Sequence, residues 1–184
     1  LSEFVSDLET FQDFPKIPRI SRDCIITEKL DGTNAQVVVL EDGRVLAGSR
    51  NRFITPEADN YGFAKWVKQH EDELRTLGPG RHYGEWWGNG INRNYGLKEK
   101  RFSLFNVSRW ADARPPCCDV VPTLYKGPFY QAAWEYELGR LTEKGSFAAP
   151  GFMKPEGIVI FHIHSGYLFK KTIEHDEMPK GMVA

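Results

Sequence analysis

A lysine two residues before an Asp-Gly step is the most chemically suggestive feature of the chain. The segment Glu28-Lys29-Leu30-Asp31-Gly32-Thr33-Asn34 follows directly on a β-branched run. A lysine attacks phosphorus or a carbonyl carbon only as the free amine. Its reference pKa is about 10.4, so a nucleophilic role for Lys29 calls for desolvation or cationic neighbours. Gly32 permits a tight turn and close backbone approach to a ligand. Taken alone, Lys-x-Asp-Gly reads more readily as an exposed strand-end lysine before a polar turn. Two basic clusters offer phosphate contacts or merely solvated loops: Arg44, Arg50 and Arg52 in one, and Arg93, Lys98, Lys100 and Arg101 in the other. His162 and His164 share a strand face but lack a third ligand at suitable spacing, so they read as polar strand positions. Cys117 and Cys118 are adjacent, with no Cys/His cluster in the surrounding sequence, and are not expected to form a zinc site.

Composition bounds what such residues can serve. The chain has 184 residues, 24 basic and 25 acidic, for a net charge of −1. That balance argues against coating a polynucleotide along a uniformly basic surface, and leaves room for a local basic groove. Mean hydropathy is −0.47, and no apolar run approaches the roughly 20 residues of a membrane-spanning helix, so no membrane association is expected. Three cysteines without paired spacing suit a reducing cytoplasm. Residues 1–10 hold three acids and no basic segment, so no signal peptide is expected.

The elements that must position Lys29 can be read from apolar patterning. Strands are expected at 24–29, 35–40, 44–47, 81–87, 102–107, 157–163 and 167–172, with Asp42-Gly43 and Ser165-Gly166 as hairpin turns. A helix is expected to start at Thr55-Pro56-Glu57. It would place Phe63, Trp66, Val67, Leu74 and Leu77 on one face and close at Gly78. A second helix over 129–141 would turn Ala132, Ala133, Tyr136 and Leu141 inward. Strands joined largely by hairpins, with helices between some of them, indicate an α+β fold of antiparallel sheets. Trp86 and Trp87 must face opposite sides, one toward the core and the other toward the site.

With these segments side by side, the sequence resembles the covalent nucleotidyltransferase superfamily of polynucleotide ligases and mRNA capping guanylyltransferases. Lys29-Leu30-Asp31-Gly32-Thr33-Asn34 is similar to the nucleophile motif, and Gly48-Ser49-Arg50-Asn51-Arg52 to the sugar-contacting motif that follows it. Tyr83-Gly84-Glu85-Trp86 and Phe102-Ser103-Leu104-Phe105 resemble the third motif and its aromatic companion. Pro155-Glu156-Gly157-Ile158-Val159 and Leu168-Phe169-Lys170-Lys171 resemble the fourth and fifth. The Asp-Gly-Thr-Asn form, with Asn34 where DNA ligases and capping enzymes usually carry Arg or another residue, is similar to that of ATP-dependent RNA ligases. The resemblance implies a single nucleotidyltransferase (adenylation) domain over residues 1–184 without a C-terminal OB-fold, either a minimal ligase or the catalytic domain of a longer one.

The same resemblance implies the roles. Lys29 would take AMP from ATP as a phosphoramidate. AMP would then pass to a 5′-phosphate RNA end, and a 3′-hydroxyl would displace it, on RNA ends bound by a monomer. Lys170, with Lys171 as second choice, would hold the α-phosphate. Glu28 would accept a hydrogen bond from the adenine amino group, Arg50 and Glu85 would hold the ribose hydroxyls, and Phe105 would stack on the base. Glu156 would contact Mg²⁺ or Mn²⁺, with Asp31 and Asn34 as water-mediated contacts, since hard cations take oxygen ligands and keep several waters. Arg52, Arg93, Lys98, Lys100 and Arg101 would contact RNA. The rival readings are a small DNA ligase or guanylyltransferase-like domain, and a catalytically silent RNA-binding module.

Overall fold

The computed structural model describes residues 10–178, so nearly all of the leader segment considered above lies outside the described residues. Two sheets carry the fold. The smaller has the order β10-β9-β1-β8 and comprises β1 (Asp23–Lys29), β8 (Thr123–Pro128), β9 (Gly157–His162) and β10 (Tyr167–Thr172), all antiparallel. The larger has the order β4-β3-β2-β5-β6-β7 and comprises β2 (Thr33–Val39), β3 (Val45–Gly48), β4 (Phe53–Ile54), β5 (Gly80–Gly88), β6 (Lys100–Leu104) and β7 (Asp119–Val120). Among the described residues, only the β6–β7 pair is parallel. The α+β, antiparallel-dominated architecture is therefore as expected.

Strand alternation divides the core into three apolar clusters. Val37, Val39, Trp86, Phe102 and Leu104 form the outer face of the larger sheet, packed against α1 (Phe63–Gln69) and α2 (Glu71–Arg75) through Phe63, Val67, Leu74 and Leu77. Cys24, Ile26, Ile158 and Ile160 face α4 (Gln131–Lys144) on the other side of the molecule. Between them, Ile25, Leu30, Trp87, Tyr95, Val107 and Val121 join the inner faces. Trp86 and Trp87 thus face opposite sides, but both are core residues, 2% and 1% exposed; neither lines the site.

Several elements depart from expectation for identifiable reasons. Thr55 starts no helix; it bridges Ala58, and α1 begins only after Gly62, whose φ is 80°. Asp59 satisfies the first helical N–H groups instead, accepting from Ala64 N at 2.8 Å and Lys65 N at 3.0 Å. The helix then breaks at His70 into α1 and α2. β6 stops at Leu104, and α3 (Val107–Trp110) follows, with the Asn106 side chain accepting from Arg109 N at 3.1 Å. β8 has no strand signature in the sequence because Pro122, Gly127 and Pro128 interrupt its pattern, and Pro is tolerated there because β8 is an edge strand. In α4 the inward positions are Ala133, Glu137 and Leu141, whereas Ala132 and Tyr136 are exposed.

Residues 29–33 carry the chain from the smaller sheet to the larger. At Gly32 an added Cβ would lie 2.3 Å from Trp86 O and 2.7 Å from Trp87 Cβ, so only glycine lets this crossing press against β5. Gly32→Ala must displace backbone, and we expect a loss of roughly 2–3 kcal/mol, or about 4–12 °C in Tm for a chain of this size. Thermal denaturation followed by circular dichroism checks this; an unchanged Tm would mean the crossing is not tightly held.

Candidate active site

β1 and β9 are antiparallel neighbours with Lys29 opposite Gly157. The register places Glu156, one residue before β9, beside the lysine, and Lys29 Nζ lies 2.6 Å from Glu156 Oε2. Both are largely withdrawn from solvent, with side chains 22% and 8% exposed. Gly157 has φ 156°, and a Cβ there would fall 2.2 Å from Lys171 O, so this position too is closed to any other residue. The amine reaches a phosphorus atom with its lone pair only once this ion pair is released.

The Asp-Gly turn after Lys29 is braced on both sides. Gly32 N donates to Glu85 Oε1 at 3.0 Å, and Asn34 Nδ2 donates to Glu85 Oε2 at 3.4 Å, in a register that sets Asn34 opposite Glu85. Asp31 is 5% exposed and takes Asn92 Nδ2 at 3.0 Å and Arg93 Nε at 2.8 Å, while its own N–H donates to the Tyr95 hydroxyl at 2.8 Å. Burial pushes the Tyr95 phenol well above its ordinary range, so it stays a neutral hydroxyl. The loop 92–95, which the sequence reading did not connect with the site, thus fixes the nucleophile segment. Arg93, expected to contact RNA, instead directs its Nε to Asp31 and its Nη1 to Lys154 O, 3.1 Å away. Asp31, expected as a water-mediated metal contact, takes Asn92 on one oxygen and Arg93 on the other, and keeps acceptor capacity on both.

A cavity of about 590 Å³ opens beside Lys29. It is bordered by Thr27, Asn34, Glu85, Phe105, Val159 and Phe161, with Arg81, Tyr83 and the segment 106–110 completing the wall. Phe105 is 40% exposed, held just beyond β6 by its N–H bond to Tyr83 O at 3.0 Å, so an aromatic face is available. Cross-strand pairing also separates the two lysines of β10. Lys170 lies opposite Val159, itself opposite Thr27, which puts Lys170 on the face of the sheet that carries Lys29. Lys171 lies on the other face, bonded to Asp176 Oδ2 at 2.7 Å and over the Trp134 ring at 5.7 Å. The geometry supports Lys170 over Lys171.

Other expected contacts are not brought into the cavity. Arg50 and Arg52 line a separate groove of about 300 Å³ with Gln36, Asn51, Phe53 and Arg81. Arg50 therefore does not join Glu85 in one site, and Arg81 is the residue common to both hollows. Lys98 and Lys100 are exposed, whereas Arg101 is paired with Glu99. His162 uses both ring nitrogens on Ser165 Oγ and Ile20 O, at 2.8 and 3.0 Å, in keeping with a structural role.

Glu28 is also corrected. Alternation puts its carboxylate on the opposite face of β1 from the Lys29 amine. There it accepts from Ser146 Oγ at 2.6 Å, Phe147 N at 2.8 Å and Ala148 N at 3.0 Å. Glu28 borders the cavity, but it is only 1% exposed and its carboxylate is engaged in clamping the loop after α4, so it is not an open acceptor for an adenine amine. Desolvation raises its pKa above the ordinary 4.5, outweighing the three hydrogen bonds that lower it. A raised carboxylate pKa means that the native state binds the proton more tightly than the unfolded chain. This group's contribution is then fullest at low pH and falls as pH rises through the raised value. Glu28→Ala strands three donors and should lower Tm by roughly 6–12 °C, from about 3 kcal/mol. Glu28→Gln keeps an acceptor and should be milder, its deficit shrinking as pH rises from about 4 toward neutrality. Melting curves of both variants across that range check the sign; a deficit that grows with pH would contradict it.

With this geometry in hand, comparison with known proteins is informative. The sequence matches the RNA ligase family over residues 22–171. A comparison with curated proteins finds no match. Among solved structures, the fold is similar to Naegleria gruberi RNA ligase. A glutamate-to-alanine variant of that enzyme with ATP and Mn aligns at TM-score 0.63 and 21% identity, over 84% of this chain and 51% of that one. A lysine-to-methionine variant with AMP and Mn aligns at TM-score 0.62 and 20% identity, over 83% and 50%. The chain therefore spans about half the length of the solved ligases it resembles. No helix among the described residues is long and apolar enough to cross a membrane. Family match, motif order and the convergence of all the motifs but Gly48–Arg52 on one cavity agree: this chain belongs to the RNA ligase family.

Proposed function

We propose that this chain is the adenylylating domain of an ATP-dependent RNA ligase of the cytoplasm, acting as a monomer. Lys29 Nζ attacks the α-phosphorus of ATP, the bond to the β-phosphate oxygen breaks, pyrophosphate leaves, and the amine proton passes to solvent. AMP then moves to a 5′-phosphate RNA end, and the 3′-hydroxyl of the partner end displaces it. The observation that carries this reading is the Lys29–Glu156 pair at 2.6 Å beside a cavity whose wall includes Glu85 and Phe105. Phe105 offers the base a stacking face. Lys170, on the Lys29 face, supplies positive charge where negative charge grows on the phosphate. A silent binding module would have no need of a lysine held against a buried carboxylate.

The residues fit a divalent cation that keeps most of its water. Glu156 is the carboxylate nearest Lys29, and Asn34 lies on the cavity wall. Mg²⁺ or Mn²⁺ suits a site with one protein carboxylate and oxygen donors from phosphate. Such an ion would neutralise phosphate charge, and a carboxylate drawn toward it would loosen its hold on Lys29. RNA backbone would run along the groove of Arg50, Arg52 and Arg81, which continues from the nucleotide cavity through Arg81, with Lys98 and Lys100 as further contacts.

Labelled ATP, GTP and NAD offered with Mg²⁺ or Mn²⁺ separate the family readings: label is expected on the protein from ATP alone, and none on Lys29→Ala. Transfer from GTP or NAD would move the chain to another branch of the superfamily. Lys170→Ala should cut adenylylation by more than about tenfold, equivalent to 1.4 kcal/mol, while Lys171→Ala changes it less than about threefold; the reverse order would show that the strand register misassigns the phosphate contact. Replacing Arg50 and Arg52 by Gln should reduce the salt slope of RNA binding by roughly one unit per lost phosphate contact. An unchanged slope would place RNA elsewhere.

A further inference from the structure

On the far side of the larger sheet, three metal-ligating side chains of different chemistry meet. His70, Glu73 and Cys117 bring one ligand atom each to within 4.8 Å of one another, all partly exposed. They come from two places distant in sequence: the break between α1 and α2, and the loop leading to β7. We propose that these three residues bind a zinc ion, with water as fourth ligand. None of them lines the cavity at Lys29, so the proposal stands independently of the ligase reading.

The present hydrogen bonding marks where the ion would lie. The Glu73 carboxylate accepts from the His70 ring (Nδ1 to Oε1, 3.1 Å) and from the Cys117 backbone N–H (3.0 Å), with the Cys117 thiol sulfur within 4.8 Å of the other two ligand atoms. The imidazole and the thiol thus lie beside one carboxylate, which leaves space for an ion between the three ligand atoms. A divalent ion replaces the imidazole and thiol protons: the thiol proton leaves to solvent, and the imidazole proton moves to Nε2. Zn²⁺ bonds of about 2.0–2.3 Å to N, O and S set ligand atoms roughly 3.3–3.8 Å apart in a tetrahedron, so a group already within 4.8 Å closes by side-chain rotation. A thiolate with an imidazole selects against Mg²⁺ and Ca²⁺. Cys118 Sγ lies 3.9 Å from Cys117 Sγ but is 4% exposed in the apolar core, which leaves the fourth position to water.

The framework is rigid without the ion. His70 is positioned by its own N–H bonds to Trp66 O and Val67 O, at 3.1 and 3.2 Å, and by ring contact with Trp66. Cys117 follows Pro115-Pro116 in a turn closed by Cys118 N to Pro115 O at 2.9 Å, and Arg114 ties that turn to Trp110 O, Ala111 O and Cys118 O. Sequence spacing could not reveal the group, because 43 residues separate Glu73 from the cysteine. No zinc site was expected at Cys117 because no Cys/His cluster surrounds it in sequence; the fold brings His70 and Glu73 beside it.

The experiment uses the chelator-treated protein with Zn²⁺ and Co²⁺ alone as probes. One equivalent of zinc should bind and raise Tm by roughly 5–10 °C at a hundredfold excess over Kd. Cobalt should give a thiolate charge-transfer band with tetrahedral d–d absorption. His70→Ala, Glu73→Gln and Cys117→Ser should each weaken zinc at least about 100-fold, since even outer-sphere partners cost 10–100-fold. Cys24→Ser should not, and circular dichroism confirms that each variant is folded. Adenylylation with Mg²⁺ should survive Cys117→Ser. Absence of the charge-transfer band in the parent protein, or its persistence in folded His70→Ala and Cys117→Ser, overturns the proposal.

Discussion

Lys29 can sit 2.6 Å from Glu156 only because β1 and β9 pair in one register, with Lys29 opposite Gly157 and no side chain between the strands at that row. A shift by one residue would turn Lys29 to the α4 side of the sheet. The whole smaller sheet serves this alignment. Cys24, Ile26, Ile158 and Ile160 bury one face against α4, while Ile25 and Leu30 bury the other against the inner cluster. Any slip would exchange the two sets, and burial forbids it.

Around that register the protein buries four carboxylates: Glu28, Asp31, Glu85 and Glu156 are 1%, 5%, 7% and 7% exposed. Each survives desolvation through named partners. Glu28 holds the loop 146–148, Asp31 holds Arg93 and Asn92, Glu85 holds the Gly32 amide and Asn34, and Glu156 holds Lys29. Breaking such a buried pair costs about 3–5 kcal/mol, so these groups fix the crossing between sheets as firmly as the apolar core does.

Much of this was legible in the residues. The strands of the two hairpins, the antiparallel class, and the grouping of Lys29, Asn34, Glu85 and Phe105 follow from alternation and motif order, and the fold places all four at one cavity. Lys170 was the preferred lysine, and only the pairing to Val159 separates it from its neighbour. What escaped was set by long-range partners. Nothing local distinguishes Arg93 in a basic cluster from Arg93 on Asp31, 62 residues away. Glu28 reads as a base-reading acceptor until Ser146 and two backbone N–H groups arrive from 118 to 120 residues downstream. Arg50 shares a motif with the ribose site but not its cavity, because the turn after β3 opens onto the groove with Arg81.

The central claim is that the amine held by Glu156 is the one that becomes covalently loaded. Peptide-level mass spectrometry after incubation with ATP and Mg²⁺ tests it most directly, since it reads the modified residue itself. The account predicts an added AMP on the peptide containing Lys29, with fragment ions assigning it to that side chain. Modification of Lys170, Lys171 or any other residue in place of Lys29, or an unmodified chain under conditions where pyrophosphate is released, would contradict it.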